Sequence, residues 1–142
     1  MPQTTGSELE SVSLFSGLNA HELDIIAGLL TIESYANGLS IVREGEVGYV
    51  FYVIKKGRAE VSHEGTLLRE LGEGDFFGEI AIVGDGKRST TVTARGDLEV
   101  WAMFGTTLGQ LEREHPEIAS ALGDTVRERL AADRAQDPHR PD

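Results

Sequence analysis

The chain has 142 residues, with 13 Lys and Arg against 24 Asp and Glu, a net charge of −11 and no cysteine. That length suits one domain with a sizeable core, and the missing thiols exclude a disulfide scaffold, a zinc-thiolate or iron–sulfur centre and a thiol nucleophile. The acidic balance speaks against nucleic acid and anionic membrane faces as partners.

Residues 1–14 carry no basic side chain and no apolar run, so no signal peptide is expected. The most apolar stretch, 25–30, is far too short for a membrane span, and a cytoplasmic location follows as the expectation. Asn19 can cap a helix, with Glu22 three residues on and Leu23, Ile26, Ala27 and Leu30 at helical spacing. Ten of the seventeen glycines then fall between Gly38 and Gly86. Between them lie short apolar and β-branched runs at 39–42, 50–54, 59–61 and 66–68, and Asn37-Gly38, Lys56-Gly57 and Glu64-Gly65 read as turns. Two further strands are predicted over 89–94 and 98–103, so the middle of the chain reads as an antiparallel sandwich or barrel.

The C-terminal part is helical again. Leu108 and Leu111 mark a helix over 106–114, and Pro116 opens another in which Ile118, Leu122, Val126 and Leu130 recur every four residues. Gly123 costs that helix about 1 kcal/mol relative to Ala. Residues 132–142 contain two prolines and no large apolar side chain, and are expected to be a disordered polar tail.

The densest chemistry lies in 74–92. Gly72-Glu73-Gly74 begins like a dinucleotide fingerprint, but position 77 is Phe and no βαβ unit surrounds it. Gly86-Lys87 resembles the end of a P-loop, yet Arg88 replaces the hydroxyl that would hold Mg²⁺. A different reading fits. Residues 78–83 can make a short helical turn, anchored by Ile80 and Ile82, that aims free N–H groups and a positive dipole end at a ligand. Arg88 offers a planar fork suited to phosphate oxygens. Glu79, an acceptor only, suits a sugar hydroxyl. Together they describe a site for a sugar phosphate with a free hydroxyl.

The pattern Phe77-Gly78-Glu79-Ile80-Ala81-Ile82, followed by Arg88-Ser89-Thr90-Thr91-Val92-Thr93-Ala94, resembles the phosphate-binding cassette of cyclic nucleotide-binding domains. The resemblance spans residues 12–131 and implies a mainly β fold with flanking helices. That fold would be an antiparallel β-roll, jelly-roll-like, with an N-terminal helix, a short cassette helix and two C-terminal helices. It implies that Gly78 and Glu79, entered from Phe77, engage the ribose 2′-hydroxyl. The backbone of Ile80 and Ala81 and the Arg88 guanidinium would hold the cyclic phosphate. Ser89 and Thr90 would line phosphate and base, and Arg129 or Leu130 would cap the base. Lys87 stands where the family often has proline and Thr90 where alanine is common, and neither change removes a group the site needs.

The expected function is that of a stand-alone sensor or regulatory domain for a 3′,5′-cyclic nucleotide, cAMP before cGMP, whose binding rearranges the C-terminal helices. Its alternative is a degenerate roll that serves only as an interaction module. No catalytic constellation is visible, so no enzyme is expected, and no cofactor beyond the nucleotide ligand. The four histidines, at 21, 63, 115 and 139, are scattered, which argues against a metal-dependent roll of the cupin kind. Trp101 reads as core. An unidentified downstream protein or self-association completes the expected partners, without nucleic acid or membrane. The helix-turn-helix half of related bacterial regulators is not found after Ala131.

Overall fold

A computed structural model describes residues 4–46, 48–78 and 90–136. The order is α1 (Gly6–Leu9), a 3-10 turn (Ser13–Phe15), α2 (Ala20–Leu29), β1 (Thr31–Tyr35), β2 (Ser40–Val42), β3 (Val50–His63), β4 (Thr66–Leu71), β5 (Phe76–Phe77), β6 (Thr91–Phe104), α3 (Gly105–Glu114) and α4 (Pro116–Gln136). The six strands form one antiparallel sheet with the path β1-β6-β3-β4, while β2 also pairs with β6 and β5 with β3. The β-roll with flanking helices expected from the sequence is present, and the expected cassette helix falls outside the described residues.

The capping signal at α2 is met from both sides. Asn19 Oδ1 accepts from the Glu22 amide at 2.9 Å, and Glu22 Oε1 accepts from the Asn19 amide at 3.0 Å. Pro116 opens α4, whose Ile118, Leu122 and Val126 are buried. That helix runs to Gln136, past the boundary expected at Ala131. The Ala131-Ala132 pair and the absence of proline before Pro138 let the helical backbone continue.

Packing also begins earlier than Val12. Leu9 is fully buried, and the Trp101 indole donates to the buried Thr4 hydroxyl at 3.0 Å. The N-terminal turn is thereby stitched to the sheet, a contact 97 residues apart in sequence that no local pattern announces.

Two of the glycine signals have different outcomes. Glu64-Gly65 is a two-residue hairpin turn between the paired His63 and Thr66, with φ of 50° and 82°. Lys56-Gly57 is no turn: 50–54 and 59–61 are one continuous strand with irregular pairing at this point. Gly57 has φ 101°, and a Cβ there would lie 2.5 Å from the Asp97 carbonyl oxygen. Glycine therefore lets β6 pass close by as the ribbon bends. Gly96, φ 79°, lies in the same way within β6, which joins the two strands expected there. The strand β1, rich in β-branched and aromatic residues, was not anticipated because it follows α2 with one intervening residue.

Pleat alternation gives β3 and β6 two apolar faces. Phe51, Val53, Trp101 and Met103 pack with Leu9, Phe15, Ile26, Leu111, Ile118 and Val126 from the helices. Tyr52, Ile54, Val100 and Ala102 turn the other way and join Val42, Val61, Leu71, Phe77 and Val92 inside the roll.

Candidate functional site

The turn Gly72-Glu73-Gly74-Asp75 delivers the chain to the site. Asp75 Oδ2 accepts from the Gly72 amide at 2.8 Å, and the Asp75 amide donates to the Gly72 carbonyl at 3.0 Å. Ile54 of β3 then fixes the turn from outside. Its amide donates to the Asp75 carbonyl and its carbonyl accepts from the Gly74 amide, each at 2.8 Å. The short strand β5 follows in register, Phe77 opposite Tyr52 and Phe76 opposite Val53.

Phe77 is 4% exposed and its ring stacks on Tyr52 with centroids 4.9 Å apart and planes at 16°. It belongs to the roll interior and locks the approach to the cassette. Gly78, next along, has φ 76°, a conformation that side-chain-bearing residues avoid, so glycine is needed there for the backbone alone.

Of the residues expected to bind ligand, the structure describes Phe77, Gly78, Thr90 and Arg129. Glu79, Ile80, Ala81, Arg88 and Ser89 lie outside the described residues. Thr90 is half-buried, directly before β6, where Thr91 is paired with Ser62. The two ends of the cassette are therefore set by strand pairing against β3: Phe77 on Tyr52 at one end and Thr91 on Ser62 at the other.

Arg129, expected over the base, donates to the Ser13 hydroxyl of the N-terminal 3-10 turn. Leu130 lies beside it on the same helix. The buried stripe of α4 belongs to the helical core, on the face of β3 and β6 opposite the roll interior.

At the end of β1, paired with Leu98, Tyr35 packs partly buried against the interior cluster. Its hydroxyl donates to Glu33 Oε1 at 2.6 Å. Burial, then that hydrogen bond, pushes the phenol well above its usual range, so it stays neutral as a donor.

Among the described residues, no group of three His, Asp or Glu side chains is placed to hold a metal ion. No described helix is long and apolar enough to cross a membrane.

Sequence reasoning missed the hydrogen-bonded knot around Glu44, which touches the chain just after Thr90. The isolated Glu44, between a strand and a glycine, carries no local signal, since its partners are 20 and 47 residues away.

A family model described as "Cyclic nucleotide-binding domain" matches residues 32–115, more than half of the chain. The cAMP-dependent protein kinase regulatory subunit of Yarrowia lipolytica is 37% identical over 94 residues, covering 65% of this chain and 25% of the relative. The cGMP-dependent protein kinase of Toxoplasma gondii is 41% identical over 86 residues, covering 61% of this chain and 9% of that protein. Among solved structures, the regulatory domain of Toxoplasma gondii PKA with cAMP superposes with a TM-score of 0.72 at 29% identity. That match covers 87% of this chain and 48% of the other. The chain thus spans a quarter or less of these curated relatives, and the matched part includes the β-roll and the whole cassette sequence: it belongs to the cyclic nucleotide-binding domain family.

Proposed function

We propose that this domain reversibly binds a 3′,5′-cyclic nucleotide in the roll, cAMP in preference to cGMP, and acts by binding rather than by catalysis. The observation that carries the reading is the framing of the cassette. Phe77 and Gly78, locked by the Tyr52 stack and a positive φ, lead into Glu79-Ile80-Ala81, and Arg88-Ser89-Thr90 runs into the paired Thr91.

In this reading Glu79 and the Gly78 backbone take the ribose 2′-hydroxyl, while the Ile80 and Ala81 amides and Arg88 take the cyclic phosphate. Ser89 and Thr90 line phosphate and base. The preference for cAMP draws on the cAMP-dependent regulatory subunits among the relatives and on the neighbour solved with cAMP.

Ligand binding shifts the population of α4 placements, with β3 and β6 as the physical link, because their alternate residues line the roll on one face and the helical core on the other. Arg129 exchanges Ser13 for the base in the ligand-bound form. The output is a protein contact, with a downstream protein or with a second copy.

Calorimetric titration with cAMP, cGMP and 5′-AMP in parallel tests the proposal. Micromolar or tighter binding of cAMP, about −8 kcal/mol or better, is expected, with 5′-AMP far weaker because of its extra charge and open ring. Equal binding of 5′-AMP and cAMP, or no binding at millimolar ligand, overturns it. A tenfold advantage of cGMP would overturn the preference alone.

A further inference from the structure

Glu44, just after β2, ties together two strands and a hairpin. Its amide donates to Thr91 Oγ1 at 3.1 Å, and that hydroxyl donates back to Glu44 Oε1 at 3.4 Å. The carboxylate also accepts the Glu64 amide from the β3–β4 hairpin, at 2.9 Å to Oε1 and 3.2 Å to Oε2. His63 Nδ1 stands 3.1 Å from Oε2. Three groups from two other stretches of chain, the start of β6 and the β3–β4 hairpin, thus converge on one partly buried residue.

The location gives the knot its meaning. Thr91 is the first residue of β6, and Thr90, Ser89 and Arg88 are the residues immediately before it. The register partner of Thr91 is Ser62, beside His63. Strand pairing alone leaves the first residue of a strand prone to fray, with a single neighbour holding it. The reciprocal Glu44–Thr91 pair adds a backbone and a side-chain restraint at that point.

We infer that Glu44 is a positioning residue for nucleotide binding: through Thr91 it anchors the start of β6, directly after the sequence Arg88-Ser89-Thr90. This rests on the cyclic nucleotide reading. Glu44 touches no ligand, and its effect passes through backbone placement, where a small displacement weakens a directional phosphate contact.

The test measures, on one set of proteins, cAMP affinity by calorimetry and ligand-free melting temperature. Glu44→Ala and Thr91→Val are each expected to weaken cAMP binding about tenfold, the scale of a lost hydrogen bond to a charged group. Glu44→Gln keeps an acceptor for the Glu64 amide and the Thr91 hydroxyl and should recover most of that loss. Glu70→Ala, which removes an exposed ion pair to Arg58, should leave affinity unchanged. In an Arg88→Ala background, Glu44→Ala should add less than about twofold, because the group it positions is gone.

Affinity within twofold of wild type for Glu44→Ala, with only the melting temperature lowered, overturns the inference and leaves the cyclic nucleotide reading standing. Full multiplication of the Glu44 and Arg88 effects overturns it as well. Absence of cAMP binding by the wild-type protein sinks the underlying reading, and this inference with it.

Discussion

Strands β3 and β6 each serve two cores, and the two are built from different side chains. The helical side combines Phe15, Phe51, Trp101 and Met103 with leucines and isoleucines from the four α-helices and the 3-10 turn. The roll side is lined mostly by valines (Val42, Val61, Val92, Val100) and the small Ala59, Ala94 and Ala102, with Ile54, Leu71 and Leu98 and one aromatic stack, Tyr52 on Phe77. Large interlocking side chains make a face that loses much when disturbed. Small side chains on the concave side of a tightly curved sheet fit its taper. The contrast separates a helix-packed scaffold face from the roll face, the proposed ligand side, on the same strands.

The largest effect that sharpens this contrast is on the scaffold face. Phe51 is 1% exposed, and Phe51→Ala should cost about 3–5 kcal/mol of stability in chemical denaturation. The protein that remains folded should still bind cAMP. On the ligand face the order reverses: Arg88→Ala should cost about 2–5 kcal/mol in affinity and Glu79→Ala about 1.5–3 kcal/mol, with the melting temperature of the ligand-free protein nearly unchanged. An Arg88 variant that binds as wild type does would refute the cassette assignment.

A smaller effect probes the bend that the faces share. Gly57→Ala combines φ 101° with a Cβ 2.5 Å from the Asp97 carbonyl oxygen, and should destabilise by more than about 1 kcal/mol. Equal stability of the variant would mean that the bend has other means of support. The smallest effect is at Tyr35. Its phenol is held neutral in the folded chain, whereas the unfolded chain ionises it near 10.0. Its stabilisation is complete below that value and is lost as pH rises toward the higher folded value. Denaturation on either side of pH 10.0 should show wild type losing stability more steeply than Tyr35→Phe. Parallel pH profiles would contradict the assignment.

What could be read from the sequence follows the range of the interactions. The α2 cap at Asn19 and Glu22, the helix start at Pro116 and the stripe Ile118, Leu122 and Val126 are local patterns, and all appear as expected. The Glu64-Gly65 turn is local too. Lys56-Gly57 misled because glycine serves a close strand crossing as well as a turn, and only the partner, Asp97, tells them apart. At the candidate site, the motif from Phe77 through Ala94 was legible as chemistry, one residue type at a time. The Tyr52 stack, the Ile54 clamp on Gly74 and Asp75, and the Glu44 knot were not, because each joins segments about 20 or more residues apart.

Hydrogen exchange with and without saturating cAMP tests the division between scaffold and ligand faces most directly. The account predicts the largest gain in protection at Phe76, Phe77, Gly78, Thr90 and Thr91, a smaller gain along 118–126 through the shared strands, and little change in α2. Protection concentrated in α2 and the N-terminal turn, with the cassette ends unchanged, would place the ligand on the helical side and contradict the account.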